Sequence, residues 1–250
     1  MEKCAIVTGG STGIGASIAL KLAEAGWNVG ISVARDTSKA KALCGHIESM
    51  GRHAWWEQMD LTQEHSVEPF FARARQEFGS LNLLVNNAGV TMKSPFLTCE
   101  ASLIDTLYSI DFRGAFLVLQ QASRWMVELN TPGSLIVISS NNSLANFPEV
   151  PVYGSMKSAV EKLIRHVALE LAKHQIRVNS IAPGWTDTGS SRLGEKEATY
   201  YRIPLKRWVQ PEEIGDAVLF LTSAAATSIT GATLVMDGGA CLLNDRLERY

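Results

Sequence analysis

Cysteine is scarce and scattered in this chain: Cys4, Cys44, Cys99 and Cys241, with no C-x-x-C pair. That spacing excludes a disulfide framework and a cysteine-rich zinc site, and leaves small apolar side chains suited to a reducing compartment. Charge is also sparse. Only 19% of the 250 residues are charged against 46% apolar, which rules out an intrinsically disordered chain and supplies a sizeable core. There is no basic excess, since 23 lysines and arginines face 25 aspartates and glutamates for a formal net charge of −2. A nucleic-acid polyanion or an anionic membrane is therefore not an expected partner. No apolar run approaches bilayer length. Met1-Glu2-Lys3-Cys4 leads straight into Ala5-Ile6-Val7, with no apolar h-region and no small-residue cleavage site, so a cytoplasmic location is expected. His166, Glu170 and His174 share one helical face by spacing, but a metal would need a further ligand and an open cleft, and none is assigned.

What is abundant is alternation. Short apolar runs at Ala5–Thr8, Asn28–Val33, His53–Gln58, Leu81–Asn86, Ser134–Ser139, Arg177–Ile181 and Thr233–Met236 read as strands. Several are continuous Val/Ile/Leu runs, as in strands covered on both faces. Segments of helical period lie between them, at roughly 14–25, 37–50, 63–78, 100–128, 152–174 and 211–223. About seven strands separated by helices imply repeated βαβ units, an α/β fold with a parallel sheet between helical layers. No linker, low-complexity tract or internal repeat interrupts residues 1–250, so one domain is expected. The stretch 186–210 breaks the rhythm with Gly189, Ser190, Ser191, Gly194, Tyr200, Tyr201 and Pro204. A long irregular segment after a strand of the second half reads as a substrate lid.

Three patterns carry chemistry. Thr8-Gly9-Gly10-Ser11-Thr12-Gly13-Ile14-Gly15 joins the first strand to a helix. Glycines there admit a pyrophosphate close to the backbone, and the helix start offers free N–H groups and a positive dipole end. Tyr153 and Lys157 stand four apart on one helical face, so an ammonium beside the phenol would make the tyrosine a usable acid or base. Ser140 ends the preceding strand, thirteen residues before the tyrosine, where its hydroxyl can meet the same reacting oxygen. No His/Asp pattern around Ser140 supports a hydrolytic nucleophile.

These features together resemble the short-chain dehydrogenase/reductase family over nearly the whole chain, including members of the glucose dehydrogenase and hydroxysteroid dehydrogenase types. The glycine motif is Thr8–Gly15, followed by Asn86-Asn87-Ala88-Gly89, then Ser140, Tyr153 and Lys157 in order, then Asn179-Ser180-Ile181-Ala182-Pro183-Gly184 with Thr188, and finally Asp237-Gly238-Gly239. The resemblance implies a single NAD(P)-binding Rossmann-type domain, a doubly wound sheet with helices on both faces. It implies that Tyr153 exchanges a proton with the substrate oxygen, that Lys157 lowers its pKa and holds the nicotinamide ribose, and that Ser140 polarises the carbonyl. Cofactor contacts would come from Gly9, Ser11, Thr12, Gly13, Ile14, Gly15, Asp60, Leu61, Asn87, Ala88, Gly89, Pro183, Gly184, Thr186 and Thr188, with Tyr153 and Lys157.

One position departs from the pattern. The family's asparagine in Asn-hydrophobic-x-Gly-x-Phe is replaced in Asp111-Phe112-Arg113-Gly114-Ala115-Phe116. In the family that residue orders a water linking the lysine to solvent, so Asp111 is expected to keep the relay with an altered pH dependence. At the end of the second strand, Val33 stands where NAD-preferring relatives carry an acid, and Arg35 follows. NADP is therefore the expected cofactor, with NAD the alternative if Asp36 reaches the ribose. The substrate wall is expected from Asn142, Leu144, Phe147, Pro148, Glu149, Val150, Trp185, Tyr200 and Tyr201. This mixture suits either an alicyclic, steroid-like ketone or a polyol, and the partner is a small-molecule alcohol or ketone. Residues 100–128 and 152–174 correspond to the helices through which family members associate, so a homo-oligomer, tetramer or dimer, is expected. Two rival readings stay open. One is a dinucleotide-binding sensor or scaffold with little catalysis. The other is a 3-oxoacyl-carrier reductase docking through Arg192, Lys196, Arg202, Lys206 and Arg207.

Overall fold

The computed structural model describes residues 2–189, 196 and 199–242. Seven strands, β1 (Cys4–Val7), β2 (Asn28–Val33), β3 (Ala54–Gln58), β4 (Leu83–Asn86), β5 (Gly133–Ile138), β6 (Ile176–Pro183) and β7 (Thr233–Met236), form one sheet in the order β3-β2-β1-β4-β5-β6-β7. Every pairing is parallel. The helices are α1 (Gly13–Glu24), α2 (Thr37–Ser49), α3 (Val67–Phe78), α4 (Ala101–Leu107), α5 (Ala115–Glu128), α6 (Pro151–Leu171) and α7 (Pro211–Thr222).

Strand periodicity sorts the core into two layers. Ala5, Val7, Leu83, Val85, Ile136 and Ile138 face α1, α2 and α7, where Ile18, Leu22, Ile47, Ile214 and Val218 meet them. The intervening Ile6, Leu84, Leu135 and Val137 face α3, α5 and α6, against Phe70, Phe71, Leu119, Trp125, Val160 and Ile164. Continuous apolar strands are thus the direct result of burial on both faces. Gly30 in β2 is needed for close approach: a Cβ there would lie 2.5 Å from Cε2 of the Trp55 indole on β3.

The strands match the sequence reading to within a few residues, and the helices differ in two places. The predicted helix over 100–128 is three pieces: α4, a π-helical stretch Tyr108–Gly114, and α5. The helix read over 63–78 opens with a separate 3-10 turn, Glu64–Ser66, before α3. Of the predicted lid, residues 190–195, 197 and 198, including Ser190, Ser191, Arg192 and Gly194, lie outside the described residues. The flanks of that segment are tied together, with a parallel bridge between Thr186 and Val209 and the Asp187 N–H donating to the Val209 carbonyl at 2.9 Å.

The start of α7 is fixed by charge. Pro151 and Pro211 open α6 and α7 at the first turn, where no amide donor is needed. Glu213 completes a capping box by accepting from the Gln210 N–H at 2.8 Å, and Arg207 donates to both its oxygens at 2.7 and 2.8 Å. The Arg207 guanidinium, with the Gln210 amide, pulls the Glu213 carboxyl down to about 2 from its ordinary 4.5. A lowered folded-state pKa means that this contribution is full above 4.5 and is lost as the pH falls toward about 2. Glu213→Gln is expected to cost about 1 kcal/mol at neutral pH, held to that size by solvent screening of the pair. In urea unfolding followed against pH, the gap from the parent protein should close on acidification, whereas a constant gap would exclude the ionic contribution.

Candidate active site

A doubly wound sheet opens a crevice where neighbouring strands send their connections to opposite faces, here between β1 and β4. Thr8, at the carboxyl end of β1, closes the floor of that crevice. Its Oγ1 accepts from the N–H groups of Asn87 and Ala88, both at 3.0 Å, and donates to Asn86 Oδ1 at 3.3 Å. In return Asn87 Nδ2 donates to the carbonyls of Thr8 and Gly9, at 3.0 and 3.1 Å.

Above this clasp the glycine segment turns into α1. Gly9 has φ +60°, a conformation that favours glycine, and a Cβ on Gly15 would lie 2.6 Å from Asn87 Nδ2. The first turn of α1 carries no acid, so its dipole end is free to face an anion. The cleft over it has a volume of about 500 Å³, within the range of small-molecule sites. Gly9, Ser11, Thr12, Ile14, Gly15, Arg35, Asp60, Leu61, Asn87, Ala88, Gly89, Tyr153, Lys157 and Thr188 line it, as the sequence reading has them. Gly13 packs against Thr188 beside the cleft. Pro183, Gly184 and Thr186 do not line it; Pro183 ends β6, and the Thr186 hydroxyl donates to the Gly184 carbonyl at 3.1 Å. A backbone cradle that side chains would fill, beside an uncompensated helix N-terminus, fits an elongated pyrophosphate-bearing ligand.

At the far end of α1's neighbour strand, Ser32, Val33, Ala34, Arg35, Asp36 and Lys39 form the cleft wall. Asp36 is the N-cap of α2, its Oδ1 accepting from the Ser38 N–H at 3.1 Å and the Ser38 hydroxyl at 2.5 Å. Those bonds engage Oδ1 as the helix cap, while Asp36 stays on the cleft wall with Lys39 Nζ 4.0 Å from its Oδ2. Lys39, one turn into α2, joins Arg35 on this wall and was missed in the sequence, where only the helix register could have shown it.

Ser140, Tyr153, Lys157 and Asp111 come together from three elements. Ser140 caps a short 3-10 turn, Asn141–Ser143, and its Oγ accepts from the Asn142 backbone N–H at 3.2 Å and from Asn142 Nδ2 at 3.3 Å. With its lone pairs so engaged, the hydroxyl proton is left to donate. Tyr153 and Lys157 lie one turn apart on α6, with Lys157 Nζ 5.6 Å from the tyrosine ring centre. Lys157 Nζ also reaches the Ile138 carbonyl at 3.5 Å and Asp111 Oδ1 at 3.0 Å. Burial alone would lower the lysine's pKa, but the carboxylate of Asp111, with Tyr153 and Glu161, outweighs it and raises the value.

A second cleft of about 420 Å³ adjoins the first, and Tyr153 lines both. Its walls include Asn142, Phe147, Pro148, Glu149, Val150 and Trp185 from the sequence reading. Phe147 and Trp185 meet edge to face, with ring centres 5.4 Å apart. Leu144, Tyr200 and Tyr201 are not part of this wall; Leu144 and Tyr201 point to solvent. Thr91, Lys93, Asn141 and Arg202 line it instead. Behind it, Asp237 accepts from the N–H groups of Gly239 and Cys241 at 2.9 and 2.7 Å, and from Asn141 Nδ2 at 3.4 Å. Burial would raise this carboxyl, and those donors bring it below its ordinary value.

An α/β protein with a pyrophosphate-type cradle and a Ser/Tyr/Lys cluster set where that cleft adjoins a second one is a dinucleotide-dependent oxidoreductase in class. The chain belongs to the short-chain dehydrogenase/reductase family: a family model described as enoyl-(acyl carrier protein) reductase matches residues 9–241. It is 32% identical over 242 residues to an L-rhamnose 1-dehydrogenase (NAD(P)(+)) of Sphingomonas sp. (strain SKA58), covering 95% of each chain. It is 36% identical over 244 residues to the 3-oxoacyl-(acyl-carrier-protein) reductase FabG of Staphylococcus aureus, covering 96% of this chain and 98% of that one. The crystal structure of an acetoin dehydrogenase from Enterobacter cloacae superposes with a TM-score of 0.91 at 36% identity, covering 100% of both chains.

The clasp at the crevice floor is open to test. Thr8→Val keeps the shape but strands two amide donors, so a loss of about 2 kcal/mol is expected. Urea unfolding with an unchanged m-value would register it, and parent-like stability would show that the hydroxyl is dispensable.

Proposed function

We propose that this chain is an NADP-preferring oxidoreductase that interconverts a secondary alcohol and a ketone on a small, partly polar molecule. The observation that carries the reading is the place of Tyr153, whose side chain lines both the dinucleotide-sized cleft and the adjoining smaller one. A bound nicotinamide would supply or accept the hydride. The protein's own part is proton transfer and orientation. Ser140 donates its hydroxyl proton in a hydrogen bond to the carbonyl oxygen and polarises it. Tyr153 gives that oxygen a proton in reduction and removes one in oxidation. Lys157, held by Asp111, is positioned to bind the ribose hydroxyls of the cofactor. The glycine loop, Asn87 and Gly89 bind along its length, and Asp60 beside its adenine end.

Three features support NADP over NAD. Val33 presents no carboxylate to repel a 2′-phosphate, Asp36 is occupied as a helix cap, and Arg35 and Lys39 both face the cleft. The substrate cleft pairs aromatic Phe147 and Trp185 with Asn142, Lys93, Glu149 and Arg202, a mixture suited to a sugar, a polyol or a small hydroxyketone. The acyl-carrier alternative gains from the FabG relative but loses from the charges. Lys196 pairs with Asp187 and Arg207 pairs with Glu213, so two of the cations this reading draws on are matched by carboxylates. The cytoplasm suits four free cysteines, and among the described residues no helix is long and apolar enough to cross a membrane. Self-association is read from the groove between α5 and α6, where Phe116, Leu119, Val127, Leu163 and Val167 meet.

Tyr153→Phe is expected to lower turnover at least about 100-fold while leaving the Kd for NADPH within about twofold. Retained turnover would remove Tyr153 from the chemistry, and nucleotide binding without turnover by the parent protein on any carbonyl would favour the sensor reading. Arg35→Ala with Lys39→Ala should weaken NADPH about tenfold and NADH hardly at all, measured by fluorescence titration. Equal effects on both would exclude a role in choosing the phosphate.

A further inference from the structure

The buried carboxylate beside the catalytic-type lysine has a consequence for the tyrosine. Asp111 is fully buried on the π-helical stretch, and Lys157 is 7% exposed, with 3.0 Å between Oδ1 and Nζ. Lys157 is the partner of Oδ1 among the described residues, while Oδ2 accepts from the Val90 N–H at 3.4 Å. Gly89 leaves the space for this meeting, since a Cβ there would lie 2.6 Å from Asp111 Oδ1 and 3.1 Å from Lys157 Nζ.

A lone buried ammonium near a phenol favours the phenolate through its full charge. An ammonium closed onto a carboxylate presents only a dipole, and its pull on the phenol falls accordingly. We propose that Asp111 is a positioning residue that neutralises Lys157 and thereby holds Tyr153 in its protonated, proton-donating form. The site is then set toward carbonyl reduction at neutral pH, and alcohol oxidation needs a more alkaline medium to generate the phenolate. This deepens the proposed function and rests on it for its kinetic consequence.

The other charged groups around Tyr153 act less directly than this ion pair. Glu161, one turn beyond Lys157 on α6, is buried, and its Oε2 is turned toward Ser180 on β6 and Thr233 on β7, at 2.9 and 2.6 Å. Lys93, Glu149 and Arg202 share the substrate cleft with Tyr153 but stand in solvent, where their charges are screened. Asp60 lies on the cofactor-cleft wall. Asp111 alone among these carboxylates contacts Lys157 in an ion pair.

The test is a tyrosinate absorbance titration of the cofactor-free protein, with Tyr153 isolated as the parent spectrum minus that of Tyr153→Phe. The parent curve is the reference for Tyr153. In Asp111→Asn, isolated against the matching double variant, it should titrate at least about one pH unit lower, a tenfold rise in tyrosinate at a given pH. The alkaline limb of alcohol oxidation should move by the same amount in the same direction. An unchanged titration in a folded Asp111→Asn protein would overturn the proposal. If that variant does not fold, Asp111→Ser takes its place, with the same downward shift expected and an unmoved titration again overturning the proposal. A shifted titration without turnover on any carbonyl would leave Asp111's role standing and sink the oxidoreductase reading instead. Turnover with an unmoved titration would do the reverse.

Discussion

The hydroxyl of Thr8 is the point on which the site's geometry depends. A parallel sheet that reverses direction at β1 and β4 leaves two chain segments diverging from adjacent strand ends, with backbone donors and acceptors that no longer pair with each other. Thr8 and Asn87 satisfy those groups across the gap, the first by accepting two amide protons and the second by donating to two carbonyls. Everything above inherits this spacing. Asn87 Nδ2, held by the clasp, occupies the room a side chain at Gly15 would need, and Ala88 packs over Gly9. The glycines are therefore required by the clasp as well as by whatever lies along the cleft.

A second support works from behind. Asp237 sits on a turn after β7, 96 residues from Asn141, and ties it through Nδ2. The same turn fills the space beside Gly184, where a Cβ would come within 2.7 Å of Asp237 Cβ. Two connections that contribute to the substrate wall are thus fixed by one buried carboxylate whose acceptors are filled by Gly239, Cys241 and Asn141. Asp237 is not a wall residue of either cleft. It orders the residues that are.

How much of this is legible in the sequence follows from range. The strands are readable because burial on both faces imprints unbroken apolar runs, and the Tyr153–Lys157 pair because helical geometry is local. Gly9 to Gly15 are readable because the turn and the helix start are contiguous. Lys93, Arg202 and Lys39 are not, because each reaches its cleft through tertiary packing or a helix register that no short motif records. Leu144 and Tyr201 fail for the complementary reason: proximity in sequence to a site residue does not determine direction, and both point to solvent although Asn142 and Arg202 close by reach the cleft. The replacement at Asp111 is visible in the sequence, but the ion pair replacing a water-mediated link depends on Gly89, 22 positions earlier, leaving the space open.

The π-helical stretch makes the site a matter of chain length as much as of chemistry. Its wider turns hold more residues than an α-helix of the same rise, between α4 and α5. An ordinary α-helix would need about one residue fewer to hold α4 and α5 in the same relation, so the bulge absorbs a residue that would otherwise turn α4 by about 100° about the axis. With that residue absorbed, Leu107 stays fully buried against Val150 and Tyr153 while Asp111 meets Lys157. A chain one residue shorter across this helix would keep both flanks in register without the bulge, so variants of unequal length there would need to be aligned by the bulge rather than by residue identity.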